Sequence, residues 1–196
     1  MERLTQQIAF IMELDKLKSV LRRSYVTDTE RRENSAEHSW HIALAALTLA
    51  EYANEPVDIG HVIKLLLIHD IVEIDAGDTF VYDSTARLDQ YDRETQAAER
   101  IFGLLPTEQA DTYRKLWQEF EERTTPEAKF ARAVDRLLPL LHNYATQGRG
   151  WQEHHVRQAQ VIAINGVMAE GAAALWHFAK AKIQDAVTQG YLAADA

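Results

Sequence analysis

Residues 64–78 read KLLLIHDIVEIDAGD, an apolar run interrupted at its centre by a histidine and an aspartate. Leu65 to Ile68 have the character of a protein core, yet His69 and Asp70 follow at once, and Glu73, Asp75 and Asp78 crowd around the turn at Gly77. Burying such an ionisable pair is costly unless a partner or a bound cation neutralises it. On an α-helix His69 and Glu73 share a face, and Asp70 stands about 100° round from His69, so adjacent residues can grip one ion from different angles. Glu73 also lies near a helix C-terminus, where a negative charge opposes the macrodipole. A locally unfavourable choice of this kind tends to mark a site.

The rest of the chain reads as helices that bring partners to this segment. Leu4, Ile8, Ile11, Leu14, Leu17 and Leu21 recur at helical period, which predicts a first helix with Arg22 and Arg23 at its C-terminal end and a polar loop over 24–33. Asn34 followed by Glu37 has the form of a capping box and opens a helix AEHSWHIALAALTLAEYA that stops at Asn54-Glu55-Pro56. His38 and His41 lie one turn apart on it, and either is placed to meet the His69-Asp70 pair. Asp58 is the expected N-cap of the next helix, GHVIKLLLIHDIVEI, read as continuous up to Gly77, with 78–84 a loop. Further helices are expected over 85–103 and 107–123. Another starts at Pro126, the favoured first position, and contains Asp135. Pro139 crowds the carbonyl of Asp135 and predicts a kink there. Two more helical stretches, 152–168 and 171–189, follow the Gly148-Arg149-Gly150 turn. No segment alternates with period two, so the expected fold is all-α, a helical bundle forming a single domain over 1–196.

Composition narrows the chemistry. The chain has no cysteine, so a metal must be held by carboxylates and by some of its eight histidines. A net charge of −9 argues against a nucleic-acid polymer as partner, while the local Arg22-Arg23 and Arg31-Arg32 pairs still suit a small anion. No apolar run reaches the roughly 20 residues of a membrane span. The amphipathic, acid-bearing start lacks the form of a cleavable signal, and the expected location is the cytoplasm. His61, His142 and His177 read as ordinary core or surface residues, His154-His155 as solvated, and Trp117, Trp151 and Trp176 as core.

The order His38, His69-Asp70, Asp135 on successive helices resembles the H…HD…D signature of HD-domain metal-dependent phosphohydrolases. ENSAEHSW at 33–40 and HDIVEIDAGD at 69–78 are similar to the 5′-deoxynucleotidase branch, and the resemblance covers about residues 10–145. It implies an HD-type domain in which His38, His69, Asp70 and Asp135 ligate one divalent cation. Two imidazoles and two carboxylates suit Mn²⁺, Fe²⁺, Co²⁺, Zn²⁺ or Mg²⁺. The resemblance further implies that Glu73 acts on the water the cation activates, that Asp78 serves the leaving oxygen, and that Arg22 or Arg23 binds the substrate phosphate. The resemblance sets Tyr25 where relatives commonly carry a tryptophan, a departure that leaves base stacking, and hence nucleobase preference, unassigned. The activity implied is a 5′-nucleotidase releasing phosphate from (deoxy)nucleoside 5′-monophosphates, with a homodimer as the expected assembly. The alternatives are a phosphodiesterase or pyrophosphohydrolase on another small nucleotide, and a non-catalytic helical module with a structural metal.

Overall fold

The computed structural model describes residues 1–195. Helix α1 (Glu2–Leu14) passes into a 3₁₀ turn (Asp15–Ser19), and the chain then becomes extended. Strands β1 (Leu21–Tyr25) and β2 (Arg32–Asn34) pair antiparallel, with Leu21 opposite Asn34 and Tyr25 opposite Arg32. Arg22 and Arg23 therefore lie on a strand and not at a helix end, and the expected 24–33 loop is largely a hairpin. Strands of five and three residues are too short for period-two alternation to register in the sequence. Apart from this hairpin the architecture is helical, as expected.

Helix α2 (Ser35–Leu49) begins with the expected capping box: the Glu37 amide donates to Asn34 Oδ1 (2.9 Å) and the Asn34 amide to Glu37 Oε2 (3.3 Å). Asp58 caps α3 (Ile59–Ile68) by accepting from the amides of Gly60 and His61. The helix expected to run on to Gly77 is broken instead. A 3₁₀ turn (His69–Val72) follows α3, and then comes one turn of α-helix, α4 (Glu73–Ala76). The physical reason is a competing side chain: His69 Nδ1 lies 2.8 Å from the Leu66 carbonyl, whose α-helical partner would be the Asp70 amide. Gly77, at φ 75°, ends α4 in a conformation that favours glycine and turns Asp78 back towards the preceding turn.

Helices α5 (Gln90–Phe102) and α6 (Thr107–Glu122) lead into α7 (Pro126–Ala145), which continues through Pro139 without interruption. The short α8 (Arg149–Glu153), α9 (Gln158–Asn165) and α10 (Met168–Gly171) precede α11 (Ala173–Thr188). Buried apolar side chains form two clusters. One joins Ile42, Leu65, Leu66, Phe130, Val134 and Trp151 to Met168 and Ile183. The other joins Phe10, Ile68, Ile71 and Val72 to Ile101, Phe102 and Trp117. The boundary between them falls inside the 65–72 segment, so the flanks of His69 and Asp70 are anchored on both sides. Trp117 and Trp151 are core, as read, and Trp176 packs partly buried against it. Leu4, Ile8, Ile11 and Met12 of α1 remain exposed, as do Trp40, Leu44 and Leu47 of α2. Among the described residues no helix is long and apolar enough to cross a membrane.

Candidate functional site

Four elements deliver ionisable side chains to one point. The first turn of α2 brings His38, the broken segment brings His69, Asp70 and Glu73, the turn after Gly77 brings Asp78, and the middle of α7 brings Asp135. His38, His69, Asp70, Glu73 and Asp135 are each no more than 7% exposed. Ligand atoms of His38, His69 and Asp135 lie within 4.8 Å of one another. His38 Nε2 is 3.0 Å from Asp135 Oδ1, and His69 Nε2 is 3.6 Å from the same oxygen and 2.9 Å from Asp70 Oδ1. Of the two histidines the sequence left open, it is His38 that meets the pair; His41 faces His142, with ring centroids 5.5 Å apart.

The surroundings orient these groups. With Nδ1 of His69 committed to the Leu66 carbonyl, the lone pair of the neutral ring sits on Nε2, which makes no well-directed hydrogen bond although carboxylate oxygens are close. Glu33, on β2, approaches the far nitrogen of His38, Oε2 to Nδ1, at 3.5 Å. Ser35 Oγ donates to Glu73 Oε2 at 2.5 Å. Arg22 reaches across from the hairpin: its Nη1 is 2.7 Å from Asp70 Oδ2, 3.6 Å from Asp78 and 3.9 Å from Glu73.

The titration behaviour follows from burial against pairing. Burial disfavours the His69 imidazolium, but Asp70 and Asp135 outweigh it and push the ring's pKa up to about 10. Burial also opposes ionisation of Asp135, yet the His38 hydrogen bond and the close His69 imidazole hold it well below the usual carboxylate range. Asp70 is likewise held low, against burial, by His69 and Arg22. Glu73 goes the other way: burial and the charge of Asp70 raise it well above its ordinary value, despite Arg22. Burial raises Asp78 as well, against Arg22 and with Asp70. A buried cluster of two imidazoles and several carboxyls, with a buried imidazole nitrogen left without a directed partner, fits a dication. Such an ion favours the neutral ring and the ionised carboxylate at every position.

The cluster forms one wall of a cavity of about 680 Å³, within the range of small-molecule sites. Arg22 lines it, and Arg23, largely exposed, borders it. Arg31 and Arg32 do not; they pair with Glu37 and Glu153. Tyr25 is buried outside the cavity, its hydroxyl on Glu153 and its ring under Arg149 and Arg32. The aromatic side chains that do line the cavity are Phe80, Tyr82, Tyr91 and Trp151. Sequence reasoning passed over Arg132 and Arg136, which flank Asp135 and line the same cavity. Arg132 pairs with Glu121 and lies over the Phe120 ring, whereas among the described residues Arg136 makes only a 3.8 Å approach to Asp135. Two guanidinium groups flanking Asp135 on a stretch that is otherwise apolar, ARAVDRLLPLL, are the signal that was there to find.

Comparison with known proteins gives the chain a family and a fold. The HD domain family matches residues 14–176. A solved structure of a predicted metal-dependent phosphohydrolase from Magnetospirillum magnetotacticum is 53% identical and superposes with a TM-score of 0.93, covering 98% of this chain and 100% of that one. The 5′-deoxynucleotidase HDDC2 of Danio rerio is 29% identical over 140 residues, 70% of this chain and 68% of its own length. The human protein of that name is 27% identical, over 68% of this chain and 65% of its own length. The chain thus spans only about two thirds of these relatives. It belongs to the HD domain family, and its fold and relatives are those of a metal-dependent hydrolase.

Proposed function

We propose that this chain is a metal-dependent phosphomonoesterase, a 5′-nucleotidase that releases phosphate from (deoxy)nucleoside 5′-monophosphates, with residues 1–196 acting as one HD-type unit. The observation that carries the reading is a buried His/Asp cluster forming a wall of a nucleotide-sized cavity, with Glu73 and Asp78 beside it and guanidinium groups facing it. His38, His69, Asp70 and Asp135 are the assigned ligands of one divalent cation, which when bound acidifies a water and polarises a phosphoryl oxygen. Arg22, already against Asp70 and Asp78, presents a planar fork to the remaining phosphoryl oxygens, in the geometry that suits phosphate. Glu73, held by Ser35, takes the proton of the attacking water at its free carboxylate oxygen. Asp78 returns a proton to the leaving 5′ oxygen. The names of the HDDC2 relatives support the substrate class. A homodimer belongs to the same proposal, with the exposed apolar side chains of α1 and α2 as the surface it would bury; sedimentation tests it.

The cavity also supports a second reading. Arg87, Arg123, Arg132 and Arg136 line it beyond the cluster, leaving cationic room for a second phosphoryl group and hence for a pyrophosphohydrolase or phosphodiesterase. Phosphate release over a panel of 5′- and 3′-monophosphates, diphosphates and cyclic nucleotides, with Mn²⁺, Co²⁺, Fe²⁺, Zn²⁺ and Mg²⁺ in turn, separates the two. Release from 5′-monophosphates alone is the expected result. Cleavage only of anhydrides or diesters would transfer the assignment to the second reading, and no cleavage with any metal would remove both.

A further inference from the structure

A second convergence of metal-binding side chains lies outside the cavity. The two helices that supply His38 and Asp135 each carry another histidine. His41 follows His38 by one turn of α2, and His142 follows Asp135 by two turns of α7. Glu33 reaches them from β2. Ligand atoms of Glu33, His41 and His142 all lie within 4.8 Å of one another, and none of the three residues lines the cavity. Glu33 is 2% exposed and His142 is 8% exposed. Glu33 Oε2 accepts from Ser24 Oγ at 3.0 Å and stands 3.8 Å from Nδ1 of His142, an imidazole nitrogen without a hydrogen-bond partner among the described residues.

The 3.8 Å between Glu33 and His142 is too long for a hydrogen bond. It is close to what two ligands of one ion require, since two donors at about 2.1 Å from a tetrahedral centre stand roughly 3.4 Å apart, and His41 lies within the same 4.8 Å span. Nδ1 of His38 stands 3.5 Å from the same Glu33 oxygen, and the nearest guanidinium, that of Arg22, has its Nε 3.8 Å from Glu33 and its Nη1 on Asp70. A carboxylate this deeply buried calls for a closer cation.

We propose that Glu33, His41 and His142 form a second metal site, for a Zn²⁺-class transition ion, behind the catalytic cluster. Two imidazoles and one carboxylate, with no thiolate and no oxygen-rich cage, select a borderline ion over Ca²⁺ or Mg²⁺. The three ligands come from the hairpin, α2 and α7, so the ion clamps together the elements that hold Arg22, His38 and Asp135. Its role is structural: it fixes the hairpin against the helices. The assignment is independent of the proposed reaction.

Metal content after dialysis against a zinc-buffered solution tests it, read together with anomalous scattering at the zinc edge and thermal midpoints. The wild type is expected to hold two ions per chain. His41 is less buried than His142, so His41→Gln is the variant least exposed to folding defects. It is expected to hold one ion, to lose zinc-dependent stabilisation by a few degrees, and to keep turnover within about twofold. Asp70→Asn is expected to lose the other ion, and its zinc-dependent midpoint shift is then that of the second site alone. Equal zinc content in the wild type and His41→Gln, or no anomalous peak beside Glu33, would overturn the proposal. Unchanged metal content in Asp70→Asn would count instead against the catalytic ligand set.

Discussion

The two sides of the cavity are built on opposite principles. One, residues 69–78 with Arg22 laid across it, carries Asp70, Glu73 and Asp78 around a single guanidinium. The other, the middle of α7, carries Arg132 and Arg136 around a single carboxylate, Asp135. Burial lowers the Arg136 pKa from its ordinary value, opposed by Asp135 and reinforced by Arg132, yet an arginine remains cationic at any ordinary pH. The acidic side therefore needs positive charge and the basic side has some to spare. A phosphoryl group suits the space between them, since it can turn one oxygen to a cation held by the acids and the others to guanidinium groups. If this contrast is the basis of the site, substitutions on the acidic side should remove metal or chemistry, and those on the basic side should mainly weaken substrate binding.

The largest effect should come from Asp70→Asn. Removing that charge is expected to empty the catalytic metal site and to reduce turnover by at least about 10³-fold, because both the nucleophile and the charge neutralisation depend on the ion. Elemental analysis and kcat on the same preparation check it; a metal-replete, active variant would break the comparison at its acidic side. Next is Glu73→Gln, which preserves size and the hydrogen bond from Ser35 while removing the basic site. Here kcat should fall by about 10² to 10⁴ with KM and metal content little changed. Near-normal turnover would reduce Glu73 to a helix-end acid.

The basic side gives smaller numbers. Arg22→Ala should lower kcat/KM for a 5′-monophosphate by about 10- to 10³-fold, with a raised KM, since hydrogen bonds to charged groups are worth roughly 1.5–3 kcal/mol. Arg136→Gln should raise KM by roughly tenfold and leave kcat near the wild-type value, the cost of one hydrogen bond to a charged group. Steady-state kinetics on both variants sharpen the contrast: if Arg136→Gln behaves as wild type while Arg23→Ala does not, phosphate is held from the hairpin alone.

The acidic side was legible in the sequence because its charges interrupt one short apolar run, and a buried ionisable pair signals itself by what surrounds it. The basic side was harder to read, since Arg132 and Arg136, four residues apart on a helix, have the spacing of a solvated stripe. Only the packing of α7 against its neighbours tells their surface from the exposed one. The same limit explains the hairpin. Its two strands owe their pairing to each other and to the adjoining helices, and neither is long enough to display an alternation of its own. The break after Ile68 is local but invisible to periodicity, because the competitor for the Leu66 carbonyl is a side chain whose rotamer depends on the site. His142, which reads as an ordinary histidine, gains its neighbours only when the hairpin docks Glu33 beside it.

The smallest effect concerns Glu94 on α5, a buried cavity-lining acid outside the ligand set. Burial, with Glu121 and Asp70 adding and the Gln90 hydrogen bond opposing, pushes its pKa up to about 7. Below its ordinary value of 4.5 the group is protonated in both the folded and unfolded states, and the shift has no consequence. Between there and about pH 7 the folded protein keeps a proton that the unfolded chain has released, so stability falls as pH rises through this window and levels off above it. Glu94→Gln keeps the shape and removes the titration. The variant should match the wild type near pH 4.5, become progressively more stable than it up to about pH 7, and keep a constant advantage above that. The gain should be on the order of 1–3 kcal/mol, a rise of a few degrees in Tm for a chain of this size. Thermal midpoints of both proteins across pH 4 to 9 measure the difference directly. A difference that does not change with pH would mean that Glu94 is ionised throughout, and that the basic side of the cavity, through Arg132, reaches further across α5 than the contrast between the two sides allows.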